Sequence, residues 1–204
     1  MSFHYALFCE DNAQRIFLKE IIPIIIKRTG ADYSNFPFSS PEFDKLKVRN
    51  KTELKKYFIN ASKMAFRDFK TKLFIVCFDS DSPKPDEDLR QKKEWQTIKD
   101  KENPKNNDKF IFAVTVQSIE HWLCYLKYIK TEPSKLKAGE LERFPQDNLK
   151  KEIYAKEEYQ SITRESIVSD LVSKISLENI DSLRSNSDSF KRFYLDLESF
   201  FGKT

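Results

Sequence analysis

Carboxylate side chains follow three apolar runs of this 204-residue chain, each close to the point where its run ends. Glu10 comes directly after the first run, and Asp79 and Asp81 follow the second. Glu120 lies a few residues beyond the third run. Because several carboxylates cannot stay ionised side by side without a counter-charge, the pattern predicts a divalent cation. Oxygen ligands without histidine or cysteine favour Mg²⁺ or Mn²⁺ over Zn²⁺.

Each of these acids also has an ordinary structural explanation. Asp11 has the position of a helix N-cap, and Glu120 has that of a first-turn acid, which the helix dipole favours. An Asp-x-Asp pair alone is common in loops. The argument for a functional site therefore rests on the three positions taken together, each following a strand.

The segments between the acids alternate between strand-like and helix-like patterns. Apolar or alternating runs predict four strands, at residues 3–9, 45–49, 73–78 and 110–116. Helical periodicity covers about residues 12–28, 52–69, 89–99, 119–129 and 187–201. This alternation predicts a parallel sheet flanked by helices. Ligands of such sheets bind beyond the carboxyl ends of the strands, which is where the acids lie.

Several residues are predicted to begin, bend or end these helices. Asp11 or Asn12 is expected to cap the first helix, with Gln14 spaced for a capping box. Pro23 is expected to kink that helix or split it into two. Further N-caps are expected at Thr52 and Ser118.

The composition excludes several classes of protein. A Walker-type phosphate loop or a dinucleotide fingerprint needs several glycines close together, and this chain has three scattered ones. Three cysteines in apolar surroundings, without CxxC spacing, are expected to be buried, reduced thiols: Cys9, Cys77 and Cys124. Reduced thiols indicate a reducing compartment. With no leader-like start and no apolar run near 18 residues, we expect a cytoplasmic protein and no membrane partner.

The three acidic segments resemble the Toprim domain of topoisomerases, DnaG-type primases and overcoming-lysogenization-defect (OLD) nucleases. The matching segments, within about residues 3–130, are LFCEDNAQRIFLKEIIPIII, LFIVCFDSDS and VQSIEHWLCYL. The resemblance is closer to small RloB-like bacterial proteins that are linked to anti-phage defence. These relatives commonly have Glu-Gly after the first strand, whereas Glu10 is followed here by Asp11.

The resemblance implies a roughly four-stranded, Toprim-like α/β core over residues 1–130 and a mainly helical extension over residues 131–204 packed on it. It also implies a Mg²⁺- or Mn²⁺-dependent nuclease acting on DNA or RNA, including tRNA, as the effector of a bacterial defence system. Glu10 would then be a general acid or base or a metal ligand. The ion would be held by Asp79 and Asp81, and the site would be completed by Glu120.

A basic stretch at residues 45–72 has a local charge excess of +8 in a chain of net charge +4. It is expected either to track a phosphate backbone or to be a solvated strand and helix. The nucleic-acid-binding candidates are Lys47, Arg49, Lys55, Lys56, Lys63 and Arg67. Lys84, five residues past Asp79, is placed either to reach the scissile phosphate or to lie in solvent. Tyr57 and Trp95 are candidates for stacking on bases.

Two other functions stay open at this point. The chain has no P-loop, so a non-catalytic regulatory or assembly subunit would bind a partner ATPase or sensor protein. A nucleotidyl or phosphoryl transferase would use the same ions, because one fold hosts several phosphate chemistries. The expected partners are therefore nucleic acid, such a partner protein, or a second copy of the chain.

Overall fold

A parallel three-stranded sheet lies at the centre of the computed structural model. The model describes residues 4–29, 48–84, 86–131, 142, 144–154, 162–173 and 175–202. The strands are β1 (Tyr5–Cys9), β2 (Leu73–Asp79) and β3 (Phe110–Thr115), in the order β1-β2-β3. Every residue of β2 is buried, as expected for a central strand covered on both faces.

Helices cover both faces of this sheet. They are α1 (Asn12–Arg28), α2 (Lys51–Asp68), α3 (Glu87–Glu102), α4 (Glu120–Thr131), α5 (Gln146–Tyr154), α6 (Arg164–Val172), α7 (Leu177–Asn186) and α8 (Asp188–Phe201). A 3₁₀ helix, Pro104–Lys109, precedes β3. Within the part of the chain that the structure describes, no helix is long and apolar enough to cross a membrane.

Alternate residues of each strand point to opposite faces and build two apolar clusters. On one face, Trp95 of α3 lies 5.2 Å from the ring of Phe58 of α2 and stacks on Phe78 of β2 at 4.1 Å. On the other face, Trp122 of α4 contacts Phe190 of α8, with ring centroids 5.2 Å apart. The buried apolar residues of α1 and of α4 to α8 belong to this second cluster together with alternate residues of the strands.

The predicted α/β class with a helical C-terminal part is confirmed, but four strands are not. The predicted strand at residues 45–49 lies mainly outside the described residues. The two of its residues that are described, Val48 and Arg49, belong to neither a strand nor a helix. The predicted base-stacking role of Trp95 is wrong, because its ring is buried in the core. The prediction that the three cysteines are buried is confirmed, and none forms a disulfide.

Helix ends follow the predicted chemistry in part. Asp11 caps α1 by accepting a hydrogen bond from the Gln14 amide at 2.9 Å. α1 runs unbroken through Pro23, because buried isoleucines on both sides of the proline hold the helix against the core. α2 is capped by Asn50 rather than Thr52. The Ser118 hydroxyl caps nothing, since it has no hydrogen-bond partner among the described residues.

Candidate acidic site at the sheet edge

The ends of β1 and β2 bring Glu10 and Asp79 together. The two strands pair in register, and the Glu10 amide donates to the Cys77 carbonyl at 3.0 Å. The Asp79 amide in turn donates to Glu10 Oε2 at 3.2 Å. Two acids separated by 69 positions in the sequence are therefore neighbours at the carboxyl edge of the sheet, as the strand pattern predicts.

Asp79 is an acid held in a buried, hydrogen-bonded position. Its Oδ1 accepts from the Thr115 hydroxyl at 2.6 Å and from the Gln14 amide group at 2.8 Å. Burial raises the pKa of Asp79 well above its ordinary value, and the charges of Glu10 and Asp11 raise it further, although the Thr115 hydrogen bond opposes the shift. The environment of Asp79 therefore disfavours its charged form.

Gln14 connects the loops that carry the two acids. Its side-chain oxygen accepts from the Glu10 amide at 3.0 Å, while its side-chain nitrogen donates to Asp79. The expected capping box would instead turn this side chain to the amide of Asp11. The buried Gln14 side chain thus fixes the relative position of Glu10 and Asp79 rather than only closing a helix end.

Lys51, the first residue of α2, holds the second acid of the Asp-x-Asp pair. Its ammonium group forms an ion pair with the Asp81 carboxylate and donates to the Asp79 carbonyl at 2.9 Å. The Ser80 carbonyl and the Gln91 side-chain oxygen each lie 3.4 Å from the same nitrogen. We call these four oxygens the oxygen cage. The Lys51 cation lies among them.

Backbone hydrogen bonds fix the direction in which Asp81 points. The Ser80 amide donates to the Thr115 carbonyl at 3.0 Å, and the Asp81 amide donates to the Gln117 carbonyl at 3.1 Å. Asp81 and Gln117 both adopt left-handed backbone conformations, with φ of 57° and 56°. Each costs roughly 1–2 kcal/mol for a residue other than glycine, and such strained residues concentrate at functional sites.

Glu120, the first residue of α4, is paired with an arginine. It is fully buried, and its Oε1 lies 2.6 Å from Arg164 Nη2 and accepts from the Tyr154 hydroxyl at 3.1 Å. Arg164 also contacts Asp11, with 3.2 Å between Nη2 and Oδ2. The second oxygen of Glu120 has no partner among the described residues. The counter-charge of Glu120 in this arrangement is therefore Arg164.

Two openings give access to this edge. A cavity of about 300 Å³ is lined by Glu10 and Asp11 together with the cationic side chains of Arg15, Arg49 and Arg164. Because one guanidinium group can bind two phosphate oxygens at once, in a bidentate contact, this cavity suits an anionic ligand next to Glu10. The second opening is a cleft of about 470 Å³ that reaches the site through Lys51, and it is lined by Lys51, Thr52, Lys55, Arg90, Gln91, Glu94 and Trp95.

The predicted nucleic-acid-binding residues divide into two groups along α2. Arg49 lines the cavity and Lys55 lines the cleft, so both lie near the acids. Lys63 and Arg67 are exposed farther along the helix, roughly 18 to 24 Å from Lys51 at 1.5 Å per residue. Lys56 is exposed with its ammonium 5.0 Å from the Tyr57 ring, and Lys47 lies outside the described residues.

Lys84, the remaining predicted catalytic residue, lies exposed on the loop after β2. Its backbone amide donates to the Ser82 hydroxyl at 3.2 Å. Its positive charge acts on Glu87, whose pKa is lowered to about 2, mainly by hydrogen bonds from Arg90 and Gln91. Among the described residues, Lys84 therefore interacts with its own loop and with the start of α3.

The donor chemistry of the site fits a hard divalent cation. Glu10, Asp79 and Asp81 offer carboxylate oxygens, and the oxygen cage adds two backbone carbonyls. Within the described ranges, however, no three His, Cys, Asp or Glu side chains are placed to hold a metal ion together. In this arrangement Lys51 holds Asp81. A metal ion shared by the Asp-x-Asp pair would therefore require Lys51 to move.

The residues that sequence analysis missed are the partners of the acids: two cations, Lys51 and Arg164, and the hydroxyl of Tyr154. Arg164 and Tyr154 carry no motif, and they reach the site only because α5 and α6 fold back beside α1 and α4. Lys51 is one of ten basic residues in its stretch, and only its place as the first residue of α2, directly after the Asn50 cap, distinguishes it. No family model, curated protein or solved structure matches this chain.

Proposed function

We propose that this protein is a Toprim-like nuclease that hydrolyses phosphodiester bonds of DNA or RNA with Mg²⁺ or Mn²⁺. The observation that carries the proposal is the hydrogen bond of 3.2 Å between the Glu10 carboxylate and the amide of the buried Asp79. It supports a site in which acids from two strands act on one reacting group. The role in anti-phage defence, and tRNA as a substrate, are supported by the sequence resemblance alone.

Glu10 is the proposed proton acceptor. Burial raises its pKa, although the hydrogen bond from the Asp79 amide opposes the shift, and a raised pKa suits a carboxylate for general base catalysis near neutral pH. Glu10 would take the proton of the water whose oxygen bonds to phosphorus. The bond from phosphorus to the leaving sugar oxygen breaks, and that oxygen takes up a proton.

Asp79 and Asp81 are the proposed ligands of the metal ion. When bound, the ion would polarise the phosphate and activate the attacking water. The raised pKa of Asp79 reflects a buried carboxylate whose charge needs compensation, which a divalent cation would supply. Arg49 and Arg164, which line the cavity beside Glu10, would bind the phosphates that flank the reacting one.

A cleavage assay tests this proposal. Purified protein is incubated with labelled DNA and labelled tRNA in Mg²⁺, in Mn²⁺ and in EDTA. We expect metal-dependent cleavage of at least one substrate, and a loss of about 100-fold or more in Asp79→Asn, because that variant loses the charge that binds the ion. Asp108→Asn, the same change at an exposed position before the amino end of β3, is the matched control. Absence of cleavage by the wild type with either metal would refute the proposal.

A non-catalytic subunit of a defence complex is the second candidate. Its supporting observation is that the protein's own cations, Lys51 and Arg164, already lie against Asp81 and Glu120. An acidic edge neutralised in this way needs no metal to stay folded. Phage challenge of bacteria that express the wild type or Asp79→Asn separates the candidates. Protection that survives in the variant supports the subunit, and protection that is lost with the protein still folded supports the nuclease.

A further inference from the structure

The Lys51 side chain stands between two environments of opposite character. Its ammonium lies in the oxygen cage, against two backbone carbonyls, the Gln91 amide oxygen and the Asp81 carboxylate. The same side chain lines the cleft of about 470 Å³. A lysine is a flexible stem with a single charge at its tip, so rotation of its side chain can carry that charge from one environment to the other.

The cleft is suited to a phosphate. Besides Lys51 it is lined by the cations Lys55 and Arg90 and by one acid, Glu94, so the lining residues carry an excess of positive charge. Lys55 pairs with Glu94 and Arg90 pairs with Glu87, so a phosphate in the cleft would compete with these acids as well as with Asp81. Lys51 is about one-quarter exposed and Asp81 about one-half, so their ion pair lies within reach of solvent. An exposed pair of this kind is weak, worth about fivefold or less in an equilibrium constant, so a phosphate dianion or polyanion can compete for the lysine.

We propose that Lys51 is an exchangeable cation that fills the oxygen cage in the free protein and moves to a phosphate in the cleft when nucleic acid binds. The proposal rests on the nuclease function proposed above and adds a means of regulating its metal site. When Lys51 leaves, Asp81 and the two carbonyls become available to the divalent ion. Metal and nucleic acid therefore favour each other's binding, since each removes an obstacle to the other.

This exchange has a consequence that a fixed structural contact does not have. Removing the charge of Lys51 should strengthen metal binding, because the competitor is gone, and should weaken nucleic-acid binding, because a phosphate contact is gone. A lysine that only ties α2 to the loop after β2 gives no such pair of opposite effects. Its loss would leave metal binding unchanged or weaken it by loosening Asp81.

The experiment measures both affinities in one set of variants. Mn²⁺ binding is followed by electron paramagnetic resonance of the free ion, without nucleic acid. Binding of a fluorescein-labelled single-stranded DNA and of labelled tRNA is followed by anisotropy in EDTA, where no cleavage occurs. The variants are Lys51→Met, Lys51→Arg and Lys55→Met. Lys55→Met is the control, since it removes a charge from the same cleft while Lys55 pairs with Glu94, outside the cage.

We expect Lys51→Met to bind Mn²⁺ about fivefold more tightly and the nucleic acid several-fold more weakly than the wild type. Lys51→Arg keeps the charge and should stay within about twofold of the wild type for Mn²⁺. Lys55→Met should also stay within about twofold for Mn²⁺ while weakening nucleic-acid binding. Thermal melting of each variant shows that the comparison is between folded proteins.

Two results would overturn the exchange, and they differ in what else they reject. If the wild type binds Mn²⁺ and Lys51→Met binds it equally or more weakly, Lys51 is a structural tether and only the exchange is wrong. If no variant binds Mn²⁺, the metal-dependent nuclease is wrong as well, and the exchange is rejected with it.

Discussion

The two ion pairs at the carboxyl edge of the sheet have opposite patterns of exposure. In the pair on the side of α2, the Lys51 and Asp81 side chains are 26% and 54% exposed. In the pair on the side of α6, the Arg164 side chain is 42% exposed but Glu120 is only 1% exposed. The difference lies in the acid. A buried carboxylate depends on its cation, whereas an exposed one is solvated by water whether or not the cation is present.

This difference separates the structural from the exchangeable part of the site. Arg164 joins α6 to the start of α1 through Asp11 and to the start of α4 through Glu120, so it fixes three helices relative to one another. Lys51 instead holds the loop after β2 through contacts that one side-chain rotation would break. Variants of the two cations therefore provide the sharpest test of the comparison.

The largest effect is expected for Arg164→Ala. The substitution leaves the Glu120 carboxylate buried without its cation, so we expect a loss of about 3–5 kcal/mol in the free energy of unfolding, measured by urea denaturation. The double variant Glu120→Gln with Arg164→Ala should recover part of that loss, because the uncompensated charge is then absent. A loss below about 1 kcal/mol in the single variant would contradict the structural role of this pair.

Asp79→Asn is expected to stabilise the protein at neutral pH. The pKa of Asp79 is raised in the folded state, so its contribution to stability is complete below the unfolded value of about 3.9 and is lost as the pH rises through the folded value. Asparagine carries no charge and does not lose this contribution. The variant should therefore gain about 0.5–2 kcal/mol over the wild type at pH 7.

Melting temperatures of the wild type and Asp79→Asn across pH 3 to 8 test this expectation. The two curves should nearly meet at the acid end, where Asp79 is protonated in both the folded and the unfolded state, and should separate as the pH rises. Thr115→Val serves as a control, because it removes a hydrogen bond that favours the charged form of Asp79. The melting temperature of this variant should therefore fall more steeply with rising pH than that of the wild type. Curves that stay parallel over the whole range would show that burial does not shift this acid.

The acidic half of the site was predictable from sequence because its signals are local. Each strand is a short apolar run, parallel strands end at one edge, and the acids follow the strands directly, so Glu10 and Asp79 had to lie near each other. The prediction needed no knowledge of side-chain packing. The predicted number of strands was not confirmed: residues 45–49 alternate between basic and apolar side chains, yet their two described residues, Val48 and Arg49, belong to neither a strand nor a helix.

The cationic half was not predictable because its contacts are long-range. Arg164 meets an acid 44 positions away, across three helices whose amphipathic patterns say which face is buried but not against which partner. Trp95 illustrates the same difficulty: an aromatic residue in a highly charged helix suggested a base-stacking surface, yet the ring lies against Phe78 in the core. Local chemistry predicted which acids lie at the strand ends, and tertiary packing supplied their partners.

The smallest effect is expected for the Lys51–Asp81 pair itself. A double-mutant cycle with Lys51→Met and Asp81→Asn, measured by urea denaturation, should give a coupling of about 0.2–1 kcal/mol that falls as salt is raised from 0.05 to 1 M. The corresponding Arg164–Glu120 cycle, with the acid buried, should change little with salt because a buried charge is poorly screened. A coupling above about 2 kcal/mol between Lys51 and Asp81 would place this pair in the same class as the buried one. An ion pair that strong would hold Lys51 in the cage against a competing phosphate, and the two sides of the site would then no longer differ.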